Sequence, residues 1–347
     1  MGEILTSTLL KATTTLGLLT LCGALYRFTD FLLFHFTVPR DPLAAYRPSF
    51  PVEGEAGKAK PYALVTGSSG GIGFGLAESL VRRGFGVILL SNDEPGLQSA
   101  KRKLTKQYPS CASSVELVYL DALKASVGDM QSRIIDDCIE RKRLAVTILI
   151  NNVGGVPMPL PLFRVFTEYE AKGIDDNITL NARFMAQLTH LMVPTLTASS
   201  ALPTSPKSNR SLILNMSSGA RDGIPWQSMY SGAKAFNAGF SMSIAREFKA
   251  TGVPIDCIAI VPGDVLTDSN YTGLGAWSPD ATQYGEILLD RVAGAVSRRR
   301  LWMSPYWLHA VQIALMDWIP ESILGNILAD KMIEKKRMFA TVAQKQK

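Results

Sequence analysis

The feature that most constrains the fold of this chain is a regular alternation of short apolar runs with helical patterns. The runs fall at 62–66, 86–90, 115–119, 146–151, 211–216 and 255–261. Strands that are covered on both faces read as continuous apolar runs, so the pattern predicts an α/β fold with a doubly wound parallel sheet. The length of this region suits one sizeable core rather than two.

The first apolar run leads into a glycine-rich turn and then into a helical pattern. The turn reads Thr66-Gly67-Ser68-Ser69-Gly70-Gly71-Ile72-Gly73. Glycines let the backbone approach a pyrophosphate, and a helix N-terminus attracts its negative charge. The context predicts a Rossmann-type dinucleotide site that uses Gly67, Ser69, Gly71, Ile72 and Gly73. An ordinary tight turn is the alternative.

A second motif, Tyr230-Ser231-Gly232-Ala233-Lys234, carries acid–base chemistry. Residues four apart lie on one face of a helix, so the Lys234 ammonium can stabilise a phenolate and lower the pKa of Tyr230. Ser217 lies thirteen residues before Tyr230, at the end of an apolar strand. Its hydroxyl can hydrogen-bond a carbonyl oxygen on which charge develops.

Five motifs, taken in order, resemble those of the short-chain dehydrogenase/reductase family. They are TGxxxGIG at 66–73, Asn151-Asn152-Val153-Gly154 in place of NNAG, Ser217, YxxxK at 230–234 and Pro262-Gly263. The resemblance covers residues 60–267. It implies a nicotinamide cofactor, with Tyr230 as proton donor, Ser217 as carbonyl polariser and Lys234 as both a pKa-lowering group and a ligand of the nicotinamide ribose.

The resemblance also implies roles for more scattered residues. Asn181 matches the asparagine that supports the lysine through water, better than Asn177 does. Asp121 matches an aspartate that contacts the adenine amino group, or is a strand-end turn residue. The remaining cofactor candidates are Asn151, Val265, Thr267 and Arg183; a solvated helix arginine is the alternative for Arg183.

Cofactor choice is read just after the second strand, at Ser91-Asn92-Asp93. An acidic residue there binds the ribose hydroxyls of NAD, whereas an arginine pairs with the phosphate of NADP. Asn92 is neither acidic nor basic, and Asp93 lies a little after the usual position of the acidic residue that binds NAD. Phe74 stands where some NADP enzymes have a basic residue. The resemblance favours NADP(H), with Asn92 as a candidate ligand, and NAD(H) stays open.

The N-terminal segment 1–40 predicts membrane association. A charge-free, mostly apolar run covers 12–26 between Lys11 and Arg27, and an apolar stretch follows at 31–36. A span needs about 20 apolar residues. A signal-peptide core and an amphipathic helix in the membrane surface are the alternatives.

The C-terminal segment 276–347 is predicted to be a helical extension. It carries Arg298-Arg299-Arg300 and three tryptophans, at 302, 307 and 318. Aromatic and basic residues together suit a membrane interface; a substrate lid or a dimer surface is the alternative. Residues 41–59 are interpreted as a linker, 60–275 as the catalytic domain and 199–210 as an exposed loop.

The composition bears on partners and compartment. The net charge of +6 fits an anionic membrane surface or an anionic substrate such as a CoA thioester. Four scattered cysteines and three dispersed histidines predict a reducing compartment and no metal site. No pattern in the sequence indicates nucleic-acid binding.

The closest likeness within the family is to the membrane-bound very-long-chain 3-oxoacyl-CoA reductases and 17β-hydroxysteroid dehydrogenases. It rests on the hydrophobic leader, the Asn-Met-Ser-Ser-Gly context at 215–219 and the aromatic tail. It implies reduction of a lipophilic ketone at the endoplasmic reticulum membrane, with the catalytic domain in the cytosol. A steroid or polyketide-like substrate, a non-catalytic scaffold and a homo-oligomer stay open.

Overall fold

The computed structural model describes residues 2–47, 60–157, 162–200, 209–275 and 277–345. Most of the interpreted linker 41–59 and most of the expected loop 199–210 lie outside the described residues.

The centre of the fold is a seven-stranded parallel sheet with the strand order β3-β2-β1-β4-β5-β6-β7. Its strands are β1 Pro61–Thr66, β2 Gly86–Ser91, β3 Val115–Tyr119, β4 Ala145–Asn151, β5 Ser211–Met216, β6 Ile255–Ile260 and β7 Trp302–Met303. The predicted fold class is confirmed, and six strands coincide with the six apolar runs.

The helices connect these strands and cover both faces of the sheet. They are α1 Gly2–Phe36, α2 Gly71–Arg82, α3 Glu94–Gln107, α4 Val127–Met130, α5 Ala171–Ile178, α6 Phe184–Ser200, α7 Ser228–Thr251, α8 Ala281–Ser297, α9 Trp307–Met316 and α10 Glu321–Lys345. Helix α4 continues as a π-helical segment, Gln131–Glu140, and Thr179–Arg183 forms a π-helical link between α5 and α6.

Two apolar cores lie on opposite faces of the sheet. One contains Leu76 of α2, Leu97 of α3 and Leu288 of α8, and the other contains Ile134 of the π-helical segment and Leu188 of α6. The chain order reverses between β1 and β4, and this point is where ligands bind in open α/β sheets.

Helix α1 has two parts with different surroundings. The stretch Leu10–Phe36 has the length and mean hydropathy, 1.4, of a membrane span. Near its end, however, Phe34 and His35 are buried against the catalytic core. The apolar run seen at 12–26 is therefore the middle of a longer helix whose last two turns belong to the globular part.

The Arg298-Arg299-Arg300 cluster does not act as a uniform basic surface. Both Arg298 and Arg300 donate to the carboxylate of Asp30 on α1, each over 2.5 Å. The Arg300 guanidinium also lies 3.8 Å from the centre of the Phe34 ring. Two of the three arginines thus fasten α1 to the core.

Strand β7 is absent from the predicted set. Trp302 and Met303 pair with Ala259 and Ile260 of β6. Two residues are too few to give a periodic pattern, and the neighbouring tryptophans suggested a membrane surface instead. Trp302 is partly covered by the Arg221 guanidinium, 4.4 Å from its ring.

Candidate active site

The glycine-rich turn lies at the carboxyl end of β1 and is held by the neighbouring strand. The Gly67 amide donates to the Leu90 carbonyl over 2.7 Å. Gly67 and Gly71 adopt φ of +64° and +53°, a region that favours glycine. A Cβ on Gly73 would lie 2.1 Å from the Gly67 carbonyl oxygen, so the turn folds tightly onto the start of α2.

The turn and α2 fit a dinucleotide. Helix α2 begins at Gly71, and its N-cap, Gly70, offers no side chain to the first amides. These donors, together with the helix dipole, suit a pyrophosphate. Glycines at 71 and 73 keep the backbone accessible. Thr267 lies beside Gly71, 3.5 Å from the position of a Cβ there, so the loop after β6 closes the same cradle.

The two asparagines after β4 have different surroundings. Asn151 is buried and donates to Thr189 and to Asn215, so its amide ties β4 to α6 and β5. Asn152 instead donates to the carbonyls of Thr66 and Gly67, over 3.0 and 3.1 Å. Of this pair, Asn152 is the one that shapes the glycine turn.

Tyr230 and Lys234 lie in the first two turns of α7, as their spacing predicts. The Lys234 ammonium is 5.5 Å from the centre of the Tyr230 ring and donates to the Met216 carbonyl over 2.9 Å. Burial lowers the pKa of Lys234 to about 8. The buried ammonium and the phenol are thus neighbours at the end of β5.

The pKa of Tyr230 shifts in the direction opposite to the expected one. Burial raises it, the Asp264 carboxylate raises it further, and a hydrogen bond with Ser218 lowers it. Lys234 is bound to a backbone carbonyl and lies over the ring rather than at the phenol oxygen. Desolvation therefore outweighs the lysine in this arrangement.

The two adjacent serines after β5 make different contacts. Ser217 continues the sheet through its amide, which donates to the Ile260 carbonyl, and its buried hydroxyl donates to the Lys234 carbonyl over 2.7 Å. Ser218 is the next residue, and its hydroxyl lies near enough to the Tyr230 phenol to lower the pKa of that phenol. Its oxygen also accepts from the Ala220 amide, so it caps the turn Gly219–Asp222. This difference was not predicted, because a spacing of thirteen residues before Tyr230 selects Ser217.

Asn181 lies within the π-helical link, at the predicted place beside Lys234. Its amide donates to the Gly155 carbonyl, and its oxygen accepts from the Gly155 amide, both over 2.8 Å. A Cβ on Gly154 would lie 2.8 Å from the Lys234 nitrogen and 2.9 Å from the Asn181 oxygen. π-Helical turns often mark functional sites, and this one places the Asn181 side chain beside Gly155 and close to the Lys234 ammonium.

The other end of the cleft is formed by the ends of β2 and β3. Asp93 is the N-cap of α3, and its carboxylate accepts from the Gly96 amide over 3.0 Å. Asn92 is exposed beside it. Asp121 follows β3 at the same edge of the sheet and accepts from the Leu123 amide. The ammonium of Lys103 lies 5.7 Å from the centre of the Phe74 ring.

The loop after β6 receives contacts from both C-terminal helices. Val265 is buried in the core beneath the cleft. The His309 ring of α9 packs on Gly263 and makes a 3.1 Å hydrogen bond with the Asp264 carbonyl. Lys335 of α10 donates to the Asp264 carboxylate over 2.7 Å. These three residues, Asp264, His309 and Lys335, were missed because they lie far apart in sequence.

Helix α10 crosses the front of the site. Phe339 packs on Phe163 and on Tyr271, with ring centres 5.7 and 5.4 Å apart. A cavity of about 490 Å³ lies between the N-terminal part of α10 and the segment from Arg221 to Gly232. The position of α10 suits the lid that was one interpretation of this extension.

Arg183 lies outside the glycine cleft. Its exposed side chain borders a groove of about 540 Å³ between the α5–α6 link and α7, with Ile178, Met229 and Phe236. None of the groove residues belongs to the glycine turn.

Comparison with known proteins agrees with this geometry. Residues 61–273 match the short chain dehydrogenase family. The chain belongs to this family and is an oxidoreductase.

Among its relatives, a very-long-chain 3-oxoacyl-CoA reductase of Candida albicans is 29% identical over 264 residues, covering 74% of this chain and 71% of the relative. The enzyme of the same name from Kluyveromyces lactis is 30% identical over 278 residues, covering 78% and 73%. These relatives support ketoreductase activity.

Solved structures share the fold. A short chain dehydrogenase from Salmonella enterica aligns with a TM-score of 0.61 at 19% identity, covering 78% of this chain and 99% of that one. A short-chain dehydrogenase from Sphingobium yanoikuyae, solved in complex with NADPH, aligns with a TM-score of 0.56 at 24% identity, covering 75% and 97%.

Proposed function

We propose that this protein reduces a ketone on a lipophilic substrate with NADPH, and that the substrate is a 3-oxoacyl-CoA. The observation that carries the proposal is the cluster at the end of β5, where the Ser218 hydroxyl lies beside the Tyr230 phenol and the buried Lys234 ammonium lies 5.5 Å from the centre of the phenol ring. The glycine cradle opens at the same edge of the sheet.

The residues divide the chemistry among them. A reduced nicotinamide, when bound, supplies the hydride that reaches the carbonyl carbon. Tyr230 donates the proton to the carbonyl oxygen, and the Ser218 hydroxyl donates a hydrogen bond to the same oxygen as charge develops there. Lys234 holds a positive charge near the phenol and binds the cofactor ribose. Asn181 positions the Lys234 side chain through water.

The choice of Ser218 over Ser217 as the carbonyl donor follows from the contacts. The Ser217 hydroxyl is buried and donates its hydrogen bond to the Lys234 carbonyl. Ser218 accepts from the Ala220 amide, which leaves its own proton for the substrate oxygen or for Tyr230. We therefore place Ser217 in the scaffold of the site.

The ribose end of the cleft supports NADP(H). The nearest acid after β2 is Asp93, and its carboxylate is used to cap α3. Asn92 is uncharged, so it leaves room for a 2′-phosphate, and Lys103 brings a positive charge over Phe74. In this proposal Ser69, Asn92 and Asp121 line the adenosine half, and Val265 and Thr267 line the carboxamide half.

The substrate proposal rests on the relatives' names and on the surroundings of the site. The relatives above are named as reductases of very-long-chain 3-oxoacyl-CoA. The net charge of +6 suits an anionic thioester. The long apolar part of α1 suits a protein that meets lipidic substrates at a membrane. We place it at the endoplasmic reticulum with the core in the cytosol, where its free cysteines stay reduced.

The test is cofactor oxidation by the membrane-reconstituted protein with a long-chain 3-oxoacyl-CoA, comparing NADPH with NADH. Tyr230→Phe is the control, because it removes the proton donor and retains the ring. We expect turnover with NADPH that falls by at least about a hundredfold in the variant, with cofactor binding retained.

Three results would contradict parts of this proposal. Equal turnover in Tyr230→Phe would overturn the role of the phenol. Turnover of steroid or polyketide-like ketones, with none of the acyl-CoA, would show that the substrate is such a ketone and not a 3-oxoacyl-CoA. Cofactor binding without oxidation by any of these ketones would make the protein a nucleotide-binding scaffold.

A further inference from the structure

Helix α9 carries an apolar surface that nothing in the described chain covers. His309 and Ile313 face the core, and both are buried. The opposite side carries Trp307, Val311, Ala314 and Leu315, whose spacing places them on one helical face, and Trp318 follows in the turn just after the helix. Trp318 is 86% exposed and Leu315 is 59% exposed. We call these five residues the α9 face.

The α9 face is continuous with the apolar surface of α1. The ring centres of Phe36 and Trp307 are 6.3 Å apart, so α9 begins where α1 ends. His35 makes a 3.1 Å hydrogen bond with the Pro305 carbonyl, just before α9. On its outer side α1 still exposes Leu32, Leu33 and Phe36. The two helices therefore present one connected apolar surface.

The length of α1 determines where this apolar surface lies relative to the bilayer. Residues 10–29 precede the anchored Asp30, and a helix of about 20 residues is about 30 Å long, the thickness of a bilayer's hydrocarbon core. Asp30 and its two arginines then lie at the membrane surface. The α9 face meets α1 at Phe36, about 9 Å further along the helix than Asp30, and so lies at the outer side of the headgroup layer, where tryptophan is favoured at the membrane–water interface.

We propose that the α9 face binds the surface of the same bilayer that α1 crosses, and so gives the protein a second membrane contact. The inference rests on the proposed membrane placement of α1. It commits to lipid because the face joins α1 directly and carries tryptophans near both of its ends. The contact would fix the tilt of the core relative to the bilayer, because a single spanning helix does not set its own tilt, and the core is fastened to that helix.

The proposal can be tested with the full-length protein in phosphatidylcholine vesicles that contain phosphatidylserine and lipids brominated near the headgroup end of their chains. Bromine quenches tryptophan fluorescence at contact. We expect quenching in the wild type that is largely lost in the Trp307→Phe/Trp318→Phe double variant. Trp302→Phe is the control, because Trp302 lies in β7 under Arg221, and it should retain the quenching.

A second pair of variants alters the face itself. Leu315→Glu puts a carboxylate on the α9 face, whereas Gln312→Glu puts one on an exposed position of the same helix outside that face. We expect Leu315→Glu to lose most of the bromine quenching and Gln312→Glu to retain it. Circular dichroism checks that both variants are folded.

Flotation with the vesicles separates this proposal from the one on α1. Protein that floats but shows no quenching at Trp307 and Trp318 keeps the anchor and overturns the α9 contact. Shielding of these tryptophans from iodide, without bromine quenching, would assign the face to a protein partner and also overturn it. Protein that fails to float would overturn both.

Discussion

The hydroxyl of Ser217 donates to the backbone carbonyl of Lys234 over 2.7 Å, which joins the end of β5 to α7, the helix that carries Tyr230. Its neighbour Ser218 lies beside the Tyr230 phenol instead. Two identical side chains, adjacent in sequence, therefore have different surroundings: one holds α7 against the sheet, and the other lies beside the tyrosine that we propose as the proton donor.

This division predicts different outcomes for the two serine-to-alanine variants. Ser218→Ala removes a donor to the developing charge, and the loss in kcat should be about a hundredfold or more. Ser217→Ala removes a buried structural hydrogen bond and should lower the free energy of unfolding by about 1 kcal/mol, with turnover retained within a few fold. Steady-state kinetics and urea unfolding of both variants provide the measurement. The reverse pattern would restore Ser217 as the carbonyl donor.

The buried ammonium of Lys234 predicts a pH dependence of stability. Its pKa is about 8 in the folded protein against an ordinary 10.5, because burial disfavours the charge. Between these two pH values the unfolded chain binds more protons than the folded protein, so the free energy of unfolding rises with pH across this window. Below about pH 8 the lysine is charged in both states, and its burial lowers the free energy of unfolding by the full amount. Lys234→Met should therefore gain most over the wild type at neutral pH.

The measurement is the melting temperature of wild type and Lys234→Met, in detergent, at several pH values across that window. The advantage of the variant should shrink as pH rises. Lys249→Met, which alters an exposed lysine in the last turn of the same helix, is the control for a general charge effect. A difference in melting temperature between Lys234→Met and wild type that stays constant with pH would show that burial of the Lys234 charge does not lower stability.

The ends of β2 and α3 predict how cofactor preference can be changed. Asn92→Arg should raise the NADPH-to-NADH ratio of kcat/KM, and Asn92→Asp should lower it, each by about tenfold, since a charged hydrogen bond is gained or made repulsive. Asp93→Asn should leave the ratio unchanged, because asparagine also caps helices. A large shift from Asp93→Asn would place that carboxylate at the ribose.

The aromatic contacts of α10 predict an effect on substrate affinity. Phe339→Ala removes the contacts with Phe163 and Tyr271, and each aromatic pair contributes about 1 kcal/mol. We expect KM for a long-chain acyl substrate to rise by about tenfold, with little change for a small ketone. Met338→Ala, an exposed neighbour on the same helix, serves as the control. Equal effects of the two variants would show that α10 does not enclose the substrate.

Strong local patterns made the sheet and the tyrosine–lysine pair predictable. Each of the six predicted strands is a mostly apolar run, and Tyr230 and Lys234 are four apart on one helix. Such features depend on residues close in sequence, which a single chain displays directly. The glycine cradle is of the same kind, since its φ angles and close approaches are local.

The features that escaped prediction depend on contacts between distant segments or on one-residue differences in register. Lys335 reaches Asp264 across 71 positions, and nothing near either residue indicates the other. Asn151 and Asn152 are chemically identical, and only the sheet decides which amide points into the core. Strand β7 is formed by pairing with β6 rather than by its own two residues.

The joint between Asp30 and Arg298 spans 268 positions of sequence. During synthesis α1 leaves the ribosome long before Arg298 exists, so the carboxylate of Asp30 stays without these two partners while most of the chain is made. The joint closes only after β6 and α8 have been made. The N-terminal helix and the core are therefore fastened together late in synthesis, and a chain that stops before residue 298 would keep α1 without the ion pairs that hold it against the core.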